Sequence, residues 1–231
     1  MSPVIECENL IKRYGETVAL DGFSLKVEPG RVVGLLGSAG SGKTTFMKLA
    51  MGMLTLDGGV ILIDGKAPGV ETKRVTAFLP DGEAFEDRAS ARDLLRLYRD
   101  FYSDFDAQKA ISLLSDLGIG VKDKIKDMSK GDVQKLRLAL TMSRRAKLYL
   151  LDEPISGVDP ATRDYILDAI ISNKDPESAI VISTNNASEV EKVLQDAAFI
   201  KNGRIILFED AEMLRNEKGR SVEEAFREEF K

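Results

Sequence analysis

The segment Gly37-Ser38-Ala39-Gly40-Ser41-Gly42-Lys43-Thr44-Thr45 is rich in small residues and ends in one lysine and two hydroxyls. Its first eight residues fit G-x-x-x-x-G-K-[ST] without a mismatch. Glycines let a backbone wrap an anion with its N–H groups pointing inward, where side chains would obstruct the approach. An apolar stretch, residues 31–36, precedes the loop and a helical stretch follows it. A helix start there would add unpaired N–H donors and partial positive charge facing the same anion. The pattern sets Lys43 to reach the outer phosphates of a nucleoside triphosphate and Thr44 to ligate Mg²⁺.

A second constellation lies more than a hundred residues on. Leu148-Tyr149-Leu150-Leu151 is an apolar strand ending in Asp152 and Glu153. A carboxylate at a strand end beside a phosphate loop can hold Mg²⁺, which suits Asp152. One residue further, Glu153 could polarise an attacking water. Asp-Glu-Pro also terminates strands for purely local reasons; its pairing with the phosphate loop favours the chemical reading.

Composition narrows the function classes. The 231 residues are 43% hydrophobic, enough for one sizeable core. A net charge of −5 argues against a nucleic-acid partner, which needs clustered Lys and Arg. The complete absence of histidine removes His-based metal sites and Ser-His-Asp catalysis. The single cysteine, Cys7, suits a reducing compartment and is expected to pack near the first strand. No apolar run approaches the roughly 18 residues needed to span a bilayer, and the N-terminus does not read as a signal peptide. A cytosolic location is expected.

The elements that must position these groups follow from periodicity. Strands are expected over 4–10, 20–27, 31–36, 60–63 and 75–79, with a helix over 43–54. From about 85 to 146 the pattern turns helical, with Leu94, Leu97, Tyr98 and Phe101 at helical spacing. Strand and helix then alternate: strand 148–151, helix 160–173, strand 179–184, helix 188–195 and a hairpin across Asn202-Gly203. All-apolar strands suit a parallel sheet covered on both faces. The expected fold class is α/β: a mainly parallel sheet flanked by helices, an N-terminal antiparallel β subdomain and an inserted helical subdomain. The expected organisation is a single domain over 1–231, with 1–84 and 147–231 as the nucleotide-binding core and 85–146 as the insertion.

Met128-Ser129-Lys130-Gly131-Asp132, just ahead of the acidic strand, resembles the signature of one P-loop NTPase family, the ATP-binding subunits of ABC transporters. It is closest to the Leu-Ser-Lys-Gly variant. Ser129 is locally just as good an ordinary helix N-cap, but motif order and spacing over essentially the whole chain favour the resemblance. The resemblance implies that ATP is bound with Mg²⁺ between two subunits paired head to tail. Ser129, Lys130 and Gly131 of one subunit would then cap the ATP held by the other's Gly37–Thr45 loop. It further implies that Tyr14 stacks on adenine, and that Asp159, in Ser156-Gly157-Val158-Asp159, speaks across the dimer. Asp159 before Pro160 is also a good N-cap; both readings can hold. A transmembrane permease subunit is the implied second partner, with the chain peripheral on the inner membrane face. Phe85 and the face from Leu94 to Tyr98 are candidates for that contact, or else core. The Ser-Lys-Gly signature resembles exporters of the antibiotic or ABC-2 kind.

Two positions depart from the family pattern. Asp81 stands where a glutamine senses Mg²⁺ and the water, and Asn185 stands where a histidine follows Ser-Thr. Asp81 could ligate Mg²⁺ directly, but its charge repels a γ-phosphate unless metal-bound. Asn185 can donate a hydrogen bond yet cannot carry a proton. Together they imply slow turnover; Asp132 also replaces the signature's usual glutamine, though Ser129 and Gly131 would make the main phosphate contacts. A soluble ABC-type ATPase and a weakly hydrolysing partner in a heterodimer are the alternatives to a transporter motor.

Overall fold

The computed structural model describes residues 2–82, 85–86, 88–216 and 219–230. Its strands, in chain order, are β1 (Ile5–Tyr14), β2 (Thr17–Val27), β3 (Val32–Leu36), β4 (Gly58–Ile63), β5 (Thr76–Leu79), β6 (Leu148–Asp152), β7 (Ala179–Thr184), β8 (Asp196–Lys201) and β9 (Arg204–Asp210). Strands β2-β1-β4 form an antiparallel sheet. The second sheet runs β5-β6-β7-β3-β8-β9, parallel except for β9. The expected α/β class and the antiparallel N-terminal sheet are both present.

Every residue of β3, β6 and β7 is buried, because alternate side chains enter opposite cores. Leu148 and Leu150 pack with Val33, Leu35, Phe46 and the first sheet, while Tyr149 and Leu151 pack with Leu136, Leu140 and Ile166 on the other face. A strand covered on both sides favours apolar residues on both faces, which is why these segments read as apolar runs up to Asp152 in β6 and Ser183 in β7.

The helices are α1 (Lys43–Ala50), α2 (Val70–Arg74), α3 (Ala91–Phe101), α4 (Ala107–Asp116), α5 (Lys130–Met142), α6 (Pro160–Asn173), α7 (Ala187–Val190), α8 (Ala211–Asn216) and α9 (Val222–Glu229). Ser90, Asp106, Ser129 and Asp159 cap α3, α4, α5 and α6 by accepting a backbone N–H. Helix α1 ends earlier than expected, because Gly52 at φ +61° turns the chain left-handed past its last turn. The expected helix over 188–195 is also shorter. It stops at Val190 and gives way to a 3₁₀ turn, since Gln195 is captured by β3, donating its N–H to the Val32 carbonyl and accepting the Val32 N–H on Oε1, both at 2.9 Å.

Helices α3–α5 lie between β5 and β6 in the chain. Arg144, 3% exposed, ties the foot of this segment to the sheet. It donates to the Thr76 carbonyl at 2.6 Å and the Arg74 carbonyl at 2.9 Å, pairs with Asp104, and stacks 4.1 Å from the Tyr102 ring. The exposed apolar surface of α3 differs from expectation. Leu94 and Leu95 are buried and Phe85 is half-buried against the core, whereas Leu97 and Phe101 are 46% and 76% exposed. The correction is geometric: Leu94 and Tyr98 share one face of α3, Leu97 and Phe101 the next, and spacing alone does not say which faces inward.

Candidate functional site

Three strand ends converge at the carboxyl edge of the parallel sheet. Leu36 of β3 pairs with Thr184 of β7, and Asp152 of β6 pairs with Ser183. Gly37, Glu153 and Asn185 therefore leave neighbouring strands side by side, at the edge where open α/β sheets bind ligands. The Gly37 N–H donates to the Thr184 carbonyl at 3.2 Å, fastening the phosphate loop to β7.

The loop's conformation depends on its glycines. Gly40 and Gly42 have φ of +77° and +112°, values an L side chain rarely adopts. A Cβ at Gly42 would lie 2.6 Å from the Ala19 carbonyl of β2. Helix α1 begins with no side-chain cap and no acid in its first turn, leaving its N–H groups open to an anion. Above them, Ala19 and residues Gly40, Ser41, Gly42, Lys43, Thr44 and Thr45 line a shallow hollow of about 120 Å³. A roomier groove, about 660 Å³, lies elsewhere, at the amino ends of β3, β6 and β7 among Pro29, Lys147 and Ser178; chemistry rather than volume marks the site.

Lys43 is 6% exposed and folds back on its loop, donating to the carbonyls of Gly37 at 2.7 Å and Ser38 at 3.1 Å. Its ammonium lies 3.9 Å from Glu153 Oε1. Burial pushes the Lys43 ammonium below the usual lysine range, opposed by the charges of Glu153 and Asp152. Burial likewise pushes the Glu153 carboxyl above the usual range. Lys43 opposes that rise; Asp152 adds to it, a hydrogen bond from Thr184 opposes it, and Asp81 adds again. For both groups desolvation outweighs the mutual attraction. Glu153 also sits at φ +48°, unusual for a side-chain-bearing residue. Its N–H is held by Ser183, through the carbonyl at 3.2 Å and Oγ at 3.1 Å.

Asp152 is fully buried; one carboxylate oxygen accepts from Ser183 Oγ and the other has no partner. A buried orphan oxygen of this kind fits a cation's coordination sphere. Among the described residues no three Asp, Glu, Cys or His side chains converge to hold a metal unaided. The orphan Asp152 oxygen is of the kind that Mg²⁺ takes as one of its few protein ligands at phosphate-binding sites.

Of the other expected residues, Asp81 and Asn185 are exposed at the loops after β5 and β7. Tyr14, 47% exposed, ends β1 at the hairpin into β2, with the Lys12 ammonium 5.6 Å from its ring centre. Ser129, Lys130 and Gly131 form a separate patch. The Ser129 hydroxyl accepts the Asp132 N–H at 3.1 Å and donates to the Asp132 carboxylate at 2.7 Å. A Cβ on Gly131 would lie 3.9 Å from Val158, so the signature turn neighbours the loop carrying Asp159. Asp159 accepts the Thr162 N–H at 3.0 Å. The structure thus gathers the phosphate loop, Lys43, Asp152, Glu153, Asp81 and Thr184 in one place, and sets the signature residues with Val158 in another.

Sequence reasoning passed over Ser183 and Thr184 as working side chains, though two hydroxyls ending an apolar strand were a readable signal. It also passed over Gly203, whose N–H donates to the Ser41 carbonyl at 3.0 Å; nothing local announces that contact.

The comparisons agree with this geometry. The model of the ABC transporter family matches residues 20–156, from β2 through the phosphate loop and α5 to just past β6. The chain is 30% identical over 219 residues to the ABC transporter ATP-binding protein YtrB of Bacillus subtilis (strain 168), covering 93% of this chain and 74% of that one. It is 30% identical over 206 residues to the lantibiotic transport ATP-binding protein SrtF of Streptococcus pyogenes, covering 88% and 90%. A solved structure of the ATP-binding subunit of an ABC transporter superposes with a TM-score of 0.88 at 25% identity, covering 99% of this chain and 100% of that one. With its phosphate loop, acidic strand end and signature turn in one matched segment, the chain belongs to the ABC transporter family as an ATP-binding subunit.

Proposed function

We propose that this chain is an ATP-hydrolysing motor that dimerises head to tail around ATP and drives a separate membrane permease from the inner face of the membrane. The observation that carries the reading is the approach of Glu153 to Lys43 at the carboxyl edge of the sheet, with Ser129–Gly131 placed apart. One copy holds a phosphate cradle, a metal-fit carboxylate and a base, and presents a second anion-binding turn for another copy to use.

In this reading the N–H groups of 38–45 and the Lys43 ammonium hold the phosphates, and Tyr14 stacks on adenine. Thr44 and Asp152 would hold Mg²⁺, which would supply charge to offset that of the phosphates. Glu153 takes a proton from the water whose oxygen bonds to the γ-phosphorus as the bond to the bridging oxygen breaks, releasing ADP and phosphate. A base so placed contributes about 10²–10⁴-fold. Ser129, Lys130 and Gly131 of the partner copy close over the γ-phosphate, with Asp159 at the same seam. Residues 85–146 form the helical subdomain, and Leu97 and Phe101 of α3, exposed side by side, receive the permease. Among the described residues no helix is long and apolar enough to cross a membrane.

A second reading is a slow, nucleotide-gated half of a heterodimer. Asp81 adds negative charge beside Glu153, and Asn185 supplies a short neutral donor where a cation would help.

ATPase assays on the wild type and Glu153→Gln test the motor. The wild type should turn over slowly and only with Mg²⁺; the variant should fall by about 10²-fold or more and accumulate as an ATP-bound dimer in light scattering. Equal rates would sink Glu153 as base, and a monomeric variant at saturating ATP would sink the shared site.

A further inference from the structure

Helix α5 carries, one turn past the signature residues, a buried polar pair that no step above uses. Gln134 and Arg137 are 9% and 6% exposed. Gln134 Nε2 donates to the Pro154 carbonyl at 2.8 Å, and Gln134 Oε1 accepts from Arg137 Nη1 at 3.1 Å. Arg137 Nη2 donates to the Pro80 carbonyl. Pro154 immediately follows Glu153, and Pro80 immediately precedes Asp81. One bridge on one helix therefore grips the backbone beside both acidic loop residues of the site.

The grip on Pro154 matters because Glu153 is in a costly conformation. A left-handed φ crowds the Cβ of an L residue against the following carbonyl oxygen, and a following proline further restricts the backbone before it. Such a conformer persists only where its surroundings hold it. Ser183 holds the N–H side of Glu153; Gln134 holds the peptide beyond Pro154. On the other arm, fixing the Pro80 carbonyl fixes the plane of the Pro80–Asp81 peptide. A small cavity of about 70 Å³, lined by Leu79, Pro80, Phe85, Tyr98, Arg137 and Thr141, leaves that loop room to shift.

We infer that Gln134 and Arg137 are positioning residues, which set Glu153 and Asp81 relative to α5 so that movement of the signature turn is felt at the base. The inference rests on the hydrolysis reading for its kinetic consequence, but its structural content does not. Gln134→Leu keeps the side chain's bulk and removes both hydrogen bonds. It should lower kcat at least about tenfold, the scale expected of a misplaced base, while leaving ATP affinity within about twofold, since the two bonds it removes run to Pro154 and Arg137. In a Glu153→Gln background it should cost nothing further. Amide hydrogen exchange in the nucleotide-free chain should quicken at 81–82 and 153–156 and stay unchanged in β3, β7 and α1. Arg137→Lys, which keeps the charge but loses the fork, should reproduce the effect at 81–82 if the leucine variant folds poorly. Unchanged exchange in those segments overturns the inference whatever the kinetics do. So does a loss of kcat matched by an equal loss of ATP affinity, or one fully additive with Glu153→Gln. If the wild type and Glu153→Gln turn over alike, the hydrolysis reading fails by itself, and hydrogen exchange still decides the bridge.

Discussion

Replacing Gly203 with alanine should weaken ATP binding from outside every nucleotide motif. Asn202 and Gly203 turn β8 into β9 with φ of +50° and +74°, a pair that suits a tight two-residue hairpin. The Gly203 N–H donates to the Ser41 carbonyl at 3.0 Å, and its carbonyl accepts the Asp21 N–H at 3.1 Å. A Cβ there would lie 2.7 Å from the Ala19 carbonyl, 2.8 Å from Leu20 Cα and 3.0 Å from the Asp21 nitrogen. All three are backbone atoms, so no rotamer change relieves the overlap, and β2 must retreat. The left-handed backbone costs alanine about 1 kcal/mol relative to glycine, and forcing an extra methyl into a closed contact costs about 1–3 kcal/mol. The sum is about 2–4 kcal/mol, which in a chain of this length lowers Tm by roughly 4–16 °C. Retreat of β2 and the hairpin also removes a hydrogen bond from the phosphate loop, a net loss of about 0.5–1.5 kcal/mol, or roughly 2- to 12-fold in ATP affinity. Scanning calorimetry and equilibrium binding of a fluorescent ATP analogue measure both, with Asn202→Gly as a control that keeps the turn. A Gly203→Ala protein with wild-type Tm and affinity would refute the three-way contact.

Two further outcomes follow from single residues. Asn185→His should raise turnover about tenfold or more with ATP affinity unchanged, since an oriented donor at the γ-phosphate contributes a few kcal/mol to the transition state; steady-state kinetics with no gain would show that another group has taken that role. Burial pushes the Cys7 thiol well above the usual range, with Glu6 adding to the rise, so thiol-reactive dyes should leave the native chain untouched and label one equivalent on unfolding. Labelling at native rates would place Cys7 nearer the surface than its 3% exposure allows.

The features legible in the sequence are those whose physics is local. The phosphate loop needs glycines at Gly40 and Gly42 because the backbone there runs at positive φ, and that requirement is written in the residues themselves. β6 was readable because burial on both faces forbids polar residues until Asp152. What escaped is set by pairings across long separations. Gln195 stops a helical run because β3, 163 residues away, takes its side chain. Gly203 touches Ser41 because β9 and β2 pack together. On α3, two apolar i,i+4 pairs compete for the core, and only the neighbours in α4 and α5 decide that Leu94 goes in and Leu97 stays out. Spacing predicts the stripe but not its partner.

Two of the three departures from the family pattern fall on exposed loop residues, and the third falls in the first turn of α5. Lys43 and Asp152 are buried and Glu153 is half-buried, and all three match the pattern. Asp81 and Asn185 follow β5 and β7 on exposed loops, and Asp132 sits in the first turn of α5. Asp132 bears on dimer closure. Its carboxylate takes the Ser129 hydroxyl, and Ser129 and then Lys135 hold it below the usual carboxylate range. Before Ser129 can donate to a phosphate oxygen of another copy, that hydroxyl must exchange a charged partner on its own chain. A second anion arriving there also meets the Asp132 charge at the helix start. In the head-to-tail reading, both effects oppose closure while leaving the phosphate cradle intact. In the same reading, nucleotide capture rests on the buried sheet edge, and Asp81, Asn185 and Asp132 are proposed to set the rate of its use.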